Sequence, residues 1–232
     1  LSRLLPDSLD AKNRLRRTKR FLAVAAEPMS KRYARWVTYF TEEAKQQLYS
    51  RDLRAQLDGF RPHEWMDALF MDVQELDPVD AAMAVDVRSY LPYDLLVKVD
   101  ITSMANSLEA RSPFLDHEVM EFAAQLPVRF KLNGNSSKYL PKRAFADLLP
   151  RENVSRPKMG FGVPIAEWFR GSLRPLLEDG LLSQRLLHRG YFQPDHVRCL
   201  LTDHLERRAD HSFQLWNLLM LELWHREFLD KR

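Results

Sequence analysis

Residues 90–116 constrain the fold more than any other stretch, because they interleave an apolar ladder with charge. Leu95, Leu96, Val97, Val99, Ile101, Met104, Leu108, Phe114 and Leu115 alternate with Lys98, Asp100, Glu109, Arg111 and Asp116, and those five charges fall within nineteen residues. A charge taken out of water without a partner is very costly. With the ladder buried, these charges are expected to be paired or put to use. A helix from about Tyr93 to Ser107 makes Asp94 and Lys98 an i,i+4 pair with the acid first, the favourable order. Val97, Asp100, Ile101 and Met104 then share a neighbouring face. On these residues alone two readings stay open: an internal ion-pair network clamping two helices, or one wall of a catalytic site.

The rest of the chain reads as helix. Glycine is scarce, 7 in 232 residues, and the long segments are rich in Leu, Ala, Glu, Arg and Gln, which favour helix. Tyr33, Trp36, Tyr39 and Phe40 recur at helical spacing within 31–40. Thr41 is an expected N-cap for a helix to Leu48, with Glu42 and Glu43 in its first turn, and 52–57 add a further turn. Pro62 starts a helix with Trp65, Leu69, Phe70 and Val73 on one face. Asp77-Pro78 reads as N-cap and first helical residue of a helix to about Tyr90, burying Ala82 and Val85, and Leu91-Pro92 is expected to break it. After the central helix come a loop over 109–113 and a helix from Asp116 to Gln125. Asn133-Gly134 marks a turn. Helices follow over 137–148 and 165–177, with a structured loop over 150–164 between them. Two closing helices cover 194–207 and 211–229, the last with Phe213, Trp216, Leu219, Met220 and Leu223 on its apolar face. With no repeat and no linker, residues 1–232 read as one mainly α domain.

Charge is uneven. Residues 1–20 carry seven Lys/Arg against Asp7 and Asp10, a net of +5, while the whole chain carries +3. The body is therefore about −2. Such an arm suits either a nucleic-acid or membrane patch or a solvated helix face, and the lack of interleaved aromatics favours the second. We expect no nucleic-acid partner. A single cysteine, Cys199, excludes a disulfide framework or a Cys/His metal set and suits a reducing, cytoplasmic setting. Lying mid-helix, it is expected to fill core. No apolar run reaches the roughly 18 residues needed to span a bilayer, so no membrane role is expected. The first residue is Leu1 rather than Met, which reads as a piece of something longer.

No Gly-x-Ser-x-Gly elbow, His-Glu-x-x-His pair or Gly-Lys-Ser/Thr phosphate loop is present. Of the seven histidines only His196 and His204, eight apart, approach a shared helix face, and no metal site is expected. The loop Arg156-Pro157-Lys158-Met159-Gly160-Phe161-Gly162 is more informative. Pro157 stiffens it, Gly160 opens its backbone, and a lysine so held suits phosphate oxygens. The bland alternative is a solvated lysine beside a turn.

Leu95-Leu96-Val97-Lys98-Val99-Asp100 followed by Ser103-Met104-Ala105-Asn106-Ser107-Leu108-Glu109-Ala110-Arg111-Ser112-Pro113-Phe114-Leu115-Asp116 closely resembles the signature of the glutamine-hydrolysing asparagine synthetase family. Arg156-Pro157-Lys158-Met159-Gly160-Phe161 resembles its downstream lysine loop, and 215–224 its last helix. The resemblance implies the helical C-terminal portion of an adenine-nucleotide α-hydrolase-like (PP-loop) synthetase domain, with the parallel-sheet nucleotide half largely missing. It implies ATP and Mg²⁺ as cofactors. It also implies adenylation of the aspartate side-chain carboxylate, attack by glutamine-derived ammonia, and release of AMP and pyrophosphate. By position Lys158 matches the lysine facing the departing pyrophosphate, with Gly160 beside it, and Lys98 a basic position lining the site. Asp100, Glu109 and Arg111 fall on the signature, the acids ordering the cations.

The sequence also departs from the family. It has no glutaminase nucleophile near Leu1, no Ser-Gly-Gly-x-Asp-Ser loop and no Gly-Glu-Gly-x-Asp-Glu loop, so the 232 residues alone are expected to be inactive. Tyr93 stands where relatives often have an acidic or small residue, which leaves the acceptor open. A relative amidating another carboxylate, in cell-surface polysaccharide or peptide modification, and a non-catalytic helical interaction module are the rival readings. An exposed apolar face is expected where the sheet would dock, with a homodimer as one way to cover it.

Overall fold

The structure is a computed structural model that describes residues 26–156 and 162–231. In chain order the helices are α1 (Met29–Val37), α2 (Glu42–Leu48), α3 (Arg51–Gln56), α4 (Pro62–Met71), α5 (Pro78–Arg88), a wider π-helical turn (Leu91–Leu96) and α6 (Val97–Met104). A 3-10 turn (Pro113–Leu115), α7 (His117–Gln125), α8 (Val128–Lys131), α9 (Tyr139–Ala144) and α10 (Arg151–Ser155) follow. α11 (Ile165–Arg170), α12 (Arg174–Leu182), α13 (Gln184–His188), α14 (Pro194–Leu205) and α15 (Ser212–Phe228) complete the chain. The described strands, β1 (Leu132–Asn133) and β2 (Ser136–Ser137), make a small antiparallel hairpin that pairs Leu132 with Ser137 and Asn133 with Ser136. Gly134 turns it at φ +56°, a value that favours glycine. The mainly α expectation holds.

The helix starts follow from local chemistry. Thr41 Oγ1 accepts from the Ala44 N–H at 3.2 Å, Asp77 Oδ1 from the Val79 N–H at 2.8 Å, and Asp116 Oδ1 from the Glu118 N–H at 2.9 Å. Each satisfies an amide that the first helical turn leaves open. The break expected at Leu91-Pro92 falls earlier. Ser89 leaves helical geometry (φ −134°, ψ −85°) and ends α5. A new helical run then starts at Tyr90, with Pro92 in its first turn, where a missing N–H costs nothing. The helix expected over 165–177 is divided at Gly171, whose backbone (φ −122°, ψ −111°) is non-helical.

The described residues gather into two compact units, one from the chain up to His63 with the chain from Phe161 onward, the other Glu64–Gly160. The first is built on an apolar core of Leu48, Phe169, Leu177, Leu181, Leu186, Val197, Leu200, Leu201, Leu215, Leu218 and Leu219. Burial of each such side chain contributes about 1.5–3 kcal/mol. Distant parts of the chain join here through backbone. The Gln193 N–H donates to Leu48 O at 2.8 Å, and the Ser50 N–H donates to Tyr191 O at 2.9 Å. α12 and α15 touch at Gly180, where a Cβ would lie 2.5 Å from Leu219 Cδ1. The buried face of α15 is Leu215, Leu218, Leu219, Glu222 and His225. That is one position earlier than the expected face. Trp216, Met220 and Leu223 are only partly buried against the core, and Phe213 lies outside, stacked on Tyr39 at 4.7 Å.

The second unit has a smaller interior: Met66, Leu69, Phe70, Val73, Ala81, Val85 and Ser89 are buried. Trp65 and Ala82 are expected inside; Trp65 is exposed, and Ala82 is intermediate because the contact face of α5 is centred on Ala81 and Val85. Lys131 Nζ ties α8 to α5 by donating to Asp80 Oδ1 at 2.7 Å. Val97, Val99, Ile101, Met104, Leu108 and Phe114 are all exposed. The opening ladder is thus an exposed apolar surface on the second unit.

Candidate functional site

The π turn and α6 carry Asp94, Lys98 and Asp100 in the second unit, and the following loop carries Glu109 and Arg111. Lys98 Nζ lies 3.7 Å from Asp94 Oδ1, and Arg111 Nη2 lies 2.5 Å from Glu109 Oε1. The premise that these charges are buried does not hold: the side chains of Lys98 and Arg111 are 59% and 85% exposed. Water solvates them, so desolvation forces neither pair, and exposed pairs contribute only about 0–1 kcal/mol. Their structural value is small, and their cationic heads, though paired, stand in solvent. The expected pairing of acids with cations is seen for Glu109 with Arg111. Lys98 is held by Asp94 on its own helical face, while the Asp100 side chain stands exposed.

Lys158 and Gly160 lie outside the described residues. The chain leading to them is described as far as Arg156. There a concavity of about 870 Å³ is lined by Lys142, Arg143, Arg156, Tyr139, Asn135 and the hydroxyls of Ser136, Ser137 and Ser155. Arg143 Nη1 donates to Tyr139 Oη at 3.1 Å, and this bond, with one from Asn133, holds the phenol below its ordinary pKa. Three cations and several hydroxyls on one surface can receive a polyanion. Sequence reasoning missed this basin. The signal was there in Lys142-Arg143, eight residues after Gly134, but it becomes a site only once residues of α9 and α10 line one concavity.

Other candidates fall away. Cys199 was expected in the core, yet it is exposed. Its thiol lies 3.6 Å from Asp203 Oδ2, and that carboxylate pushes its pKa up, the opposite of an activated nucleophile. Among the described residues no group of three or more His, Cys, Asp or Glu side chains is placed to hold a metal ion. No described helix is long and apolar enough to cross a membrane.

The mainly helical second unit thus carries exposed signature cations and a basic basin, a surface that can receive anions. The family model for asparagine synthase matches residues 2–226, and the chain belongs to that family. It is 30% identical over 216 residues to glutamine-hydrolyzing asparagine synthetase 1 of Bacillus subtilis, covering 93% of this chain and 33% of that protein. A putative glutamine-hydrolyzing asparagine synthetase of Mycobacterium tuberculosis is 36% identical over 189 residues, 77% of this chain and 28% of its own. The human glutamine-hydrolyzing asparagine synthetase is 34% identical over 91 residues, 36% of this chain and 16% of its own. The chain thus spans about a third of the length of the first of these relatives. No solved structure gives a significant match.

Proposed function

We propose that these residues form the helical part of an ATP-dependent, amide-forming ligase. In that reaction the side-chain carboxylate of aspartate is activated with ATP and the activated carboxyl is attacked by ammonia drawn from glutamine. The observation that carries this reading is the family match over residues 2–226, which takes in the Leu95–Asp116 signature and the Lys158 loop together. The PP-loop architecture, with its nucleotide loops on a parallel sheet, belongs to the same proposal and is supplied by residues other than these 232.

The chemistry needs positive charge where pyrophosphate departs, because negative charge builds on the leaving oxygens. Lys158, with Gly160 two residues on in sequence, supplies that charge. Lys142, Arg143 and Arg156 line a basin on the chain that precedes it. Lys98 and Arg111 face the reacting carboxylate and phosphates, and Asp94 and Glu109 hold their heads in place. Asp100 stands exposed in the same first turn of α6 as Lys98. ATP fits this set of exposed cations. Mg²⁺ has no ligand set among the described residues, and no step here runs through it.

The test is a substrate panel on the intact polypeptide that contains these residues. With ATP, Mg²⁺ and glutamine, aspartate is expected to yield asparagine and AMP, while glutamate and hexuronic or peptide carboxylates yield nothing. Turnover of one of those acids in place of aspartate would replace the acceptor. ATP consumption with none of them would remove the ligase reading.

A further inference from the structure

The connection between α14 and α15 is closed around a histidine that the proposed chemistry does not use. His204 is completely buried on α14. Its Nε2 lies 3.3 Å from the carbonyl oxygen of Ala166, which can only accept, so Nε2 carries the proton. Its Nδ1 must then accept. The backbone N–H of His211 lies 3.3 Å from it and Arg170 Nη2 also 3.3 Å from it. Arg170 Nε also donates to the His204 carbonyl at 2.9 Å. One neutral tautomer thus ties three places: α11 through Ala166 and Arg170, α14 through its own backbone, and the start of α15 through His211.

The charged and titratable groups around the ring come from each of these elements. α11 brings Arg170, which also pairs with Glu167 at 3.1 Å. The connection brings Asp210, whose Oδ1 is 3.8 Å from Nδ1, and His211. Asp210 is already engaged, accepting from the Ser212 N–H at 3.2 Å and the Ser212 hydroxyl at 2.7 Å. Glu167 is bound to Arg207 in the same connection at 3.1 Å. His196, two turns earlier on α14, is held below its ordinary pKa by burial and then by His211.

We propose that His204 is an acid-operated latch on the α14–α15 connection, in which a proton placed on Nδ1 expels the His211 amide and Arg170 and loosens the entry to α15 at His211. A proton on Nδ1 removes the lone pair that both donors use. It also sets a second cation against Arg170 in a dry site, where like charges repel strongly. Burial chiefly, and then Arg170, hold the imidazole below its ordinary pKa, against the opposing pull of the Ala166 carbonyl and Asp210. A histidine whose folded pKa is lowered leaves the protein fully stabilised above the unfolded value near 6.5. That contribution is lost as pH falls below it. The latch therefore opens on acidification.

Two measurements on the intact protein test this. Hydrogen exchange of the 206–211 peptide, corrected for intrinsic rates, is followed from pH 7.5 to 5. The His204 ring is titrated by NMR in the same range. Loss of protection at the His211 amide within that peptide is expected to track His204 protonation. Arg170→Gln, which removes the nearby cation, is expected to move both midpoints to higher pH together. Protection that is flat with pH, or that rises on acidification because Asp210 captures the imidazolium, would overturn the proposal. So would an Arg170→Gln midpoint unchanged in a variant whose NMR spectrum is otherwise native.

Discussion

Arg189 closes on Glu222 with two bonds, Nε to Oε2 at 2.7 Å and Nη2 to Oε1 at 3.4 Å, and Glu222 is wholly out of solvent in the middle of α15. Arg226, one turn along, donates to the same carboxylate at 2.8 Å, and Arg189 reaches on to Asp230 at 2.7 Å. Two arginines thus offset the desolvation of one carboxylate, and a charge occupies a position that helical periodicity alone would give to leucine.

Removing Arg189 leaves the buried carboxylate with Arg226 alone. Arg189→Ala is expected to destabilise the first unit, read from a shift in urea midpoint, by less than the roughly 3–5 kcal/mol that a buried charge left with no partner costs. Burial pushes the Glu222 carboxyl up, but the hydrogen bonds and charges of Arg189 and Arg226 together outweigh it and the folded pKa lies below 4.5. Its contribution is therefore present at neutral pH and lost as pH falls below 4.5 through the folded value. Glu222→Gln should flatten the stability profile in that window; an unchanged profile would assign the acid loss elsewhere.

Gly180 and Leu219 set the spacing of α12 and α15. Gly180→Ala adds helix propensity of about 0.5–1 kcal/mol. It also places a methyl 2.5 Å from Leu219 Cδ1 in a packed core, and overpacking costs about 1–3 kcal/mol. A net loss is expected. In a Leu219→Ala background the same change should become neutral or stabilising. A double-mutant cycle with no coupling would contradict the contact.

Cys199 should react slowly for an exposed thiol. Asp203 raises its pKa, so little thiolate is present at neutral pH. Asp203→Asn is expected to speed its alkylation by iodoacetamide at pH 7.5. Equal rates would mean that the carboxylate does not control the thiol.

Lys98 separates structure from chemistry. Both members of its pair with Asp94 are exposed, so Lys98→Ala should change the urea midpoint by less than about 0.5 kcal/mol of stability. In the intact enzyme it should nevertheless depress amide synthesis. A variant with full synthesis would remove Lys98 from the site.

Local chemistry made much of the fold legible. Thr41 and Asp77 are recognisable as caps because the cap needs one side-chain oxygen two or three residues from the amide it serves; Asp116, read as the first residue of its helix, caps it instead. Asn133-Gly134 marks its turn for similarly local reasons. The phase of α15 was less legible, because its buried stripe includes Glu222, whose arginine partners lie 33 residues earlier and one turn later. The ion pairing of 90–116 was readable and its exposure was not: an apolar ladder implies a partner surface, and sequence does not say whether that surface lies within the same residues. The basic basin was hidden for a different reason. Lys142, Arg143 and Arg156 are ordinary surface cations until α9 and α10 bring them to one concavity.

The same reasoning accounts for why the 232 residues are expected to make no asparagine by themselves. They present cations for phosphate but contain no Ser-Gly-Gly-x-Asp-Ser nucleotide loop. ATP-dependent pyrophosphate release by these residues alone would contradict that expectation.

The central claim is that the Lys158 loop meets the departing pyrophosphate of an aspartate-activating reaction. Aspartate-dependent pyrophosphate release by the intact protein, wild type against Lys158→Ala, tests it most directly. The account predicts that the variant loses pyrophosphate release and asparagine formation while any hydrolysis of glutamine to glutamate continues. Undiminished aspartate-dependent pyrophosphate release by Lys158→Ala would contradict it.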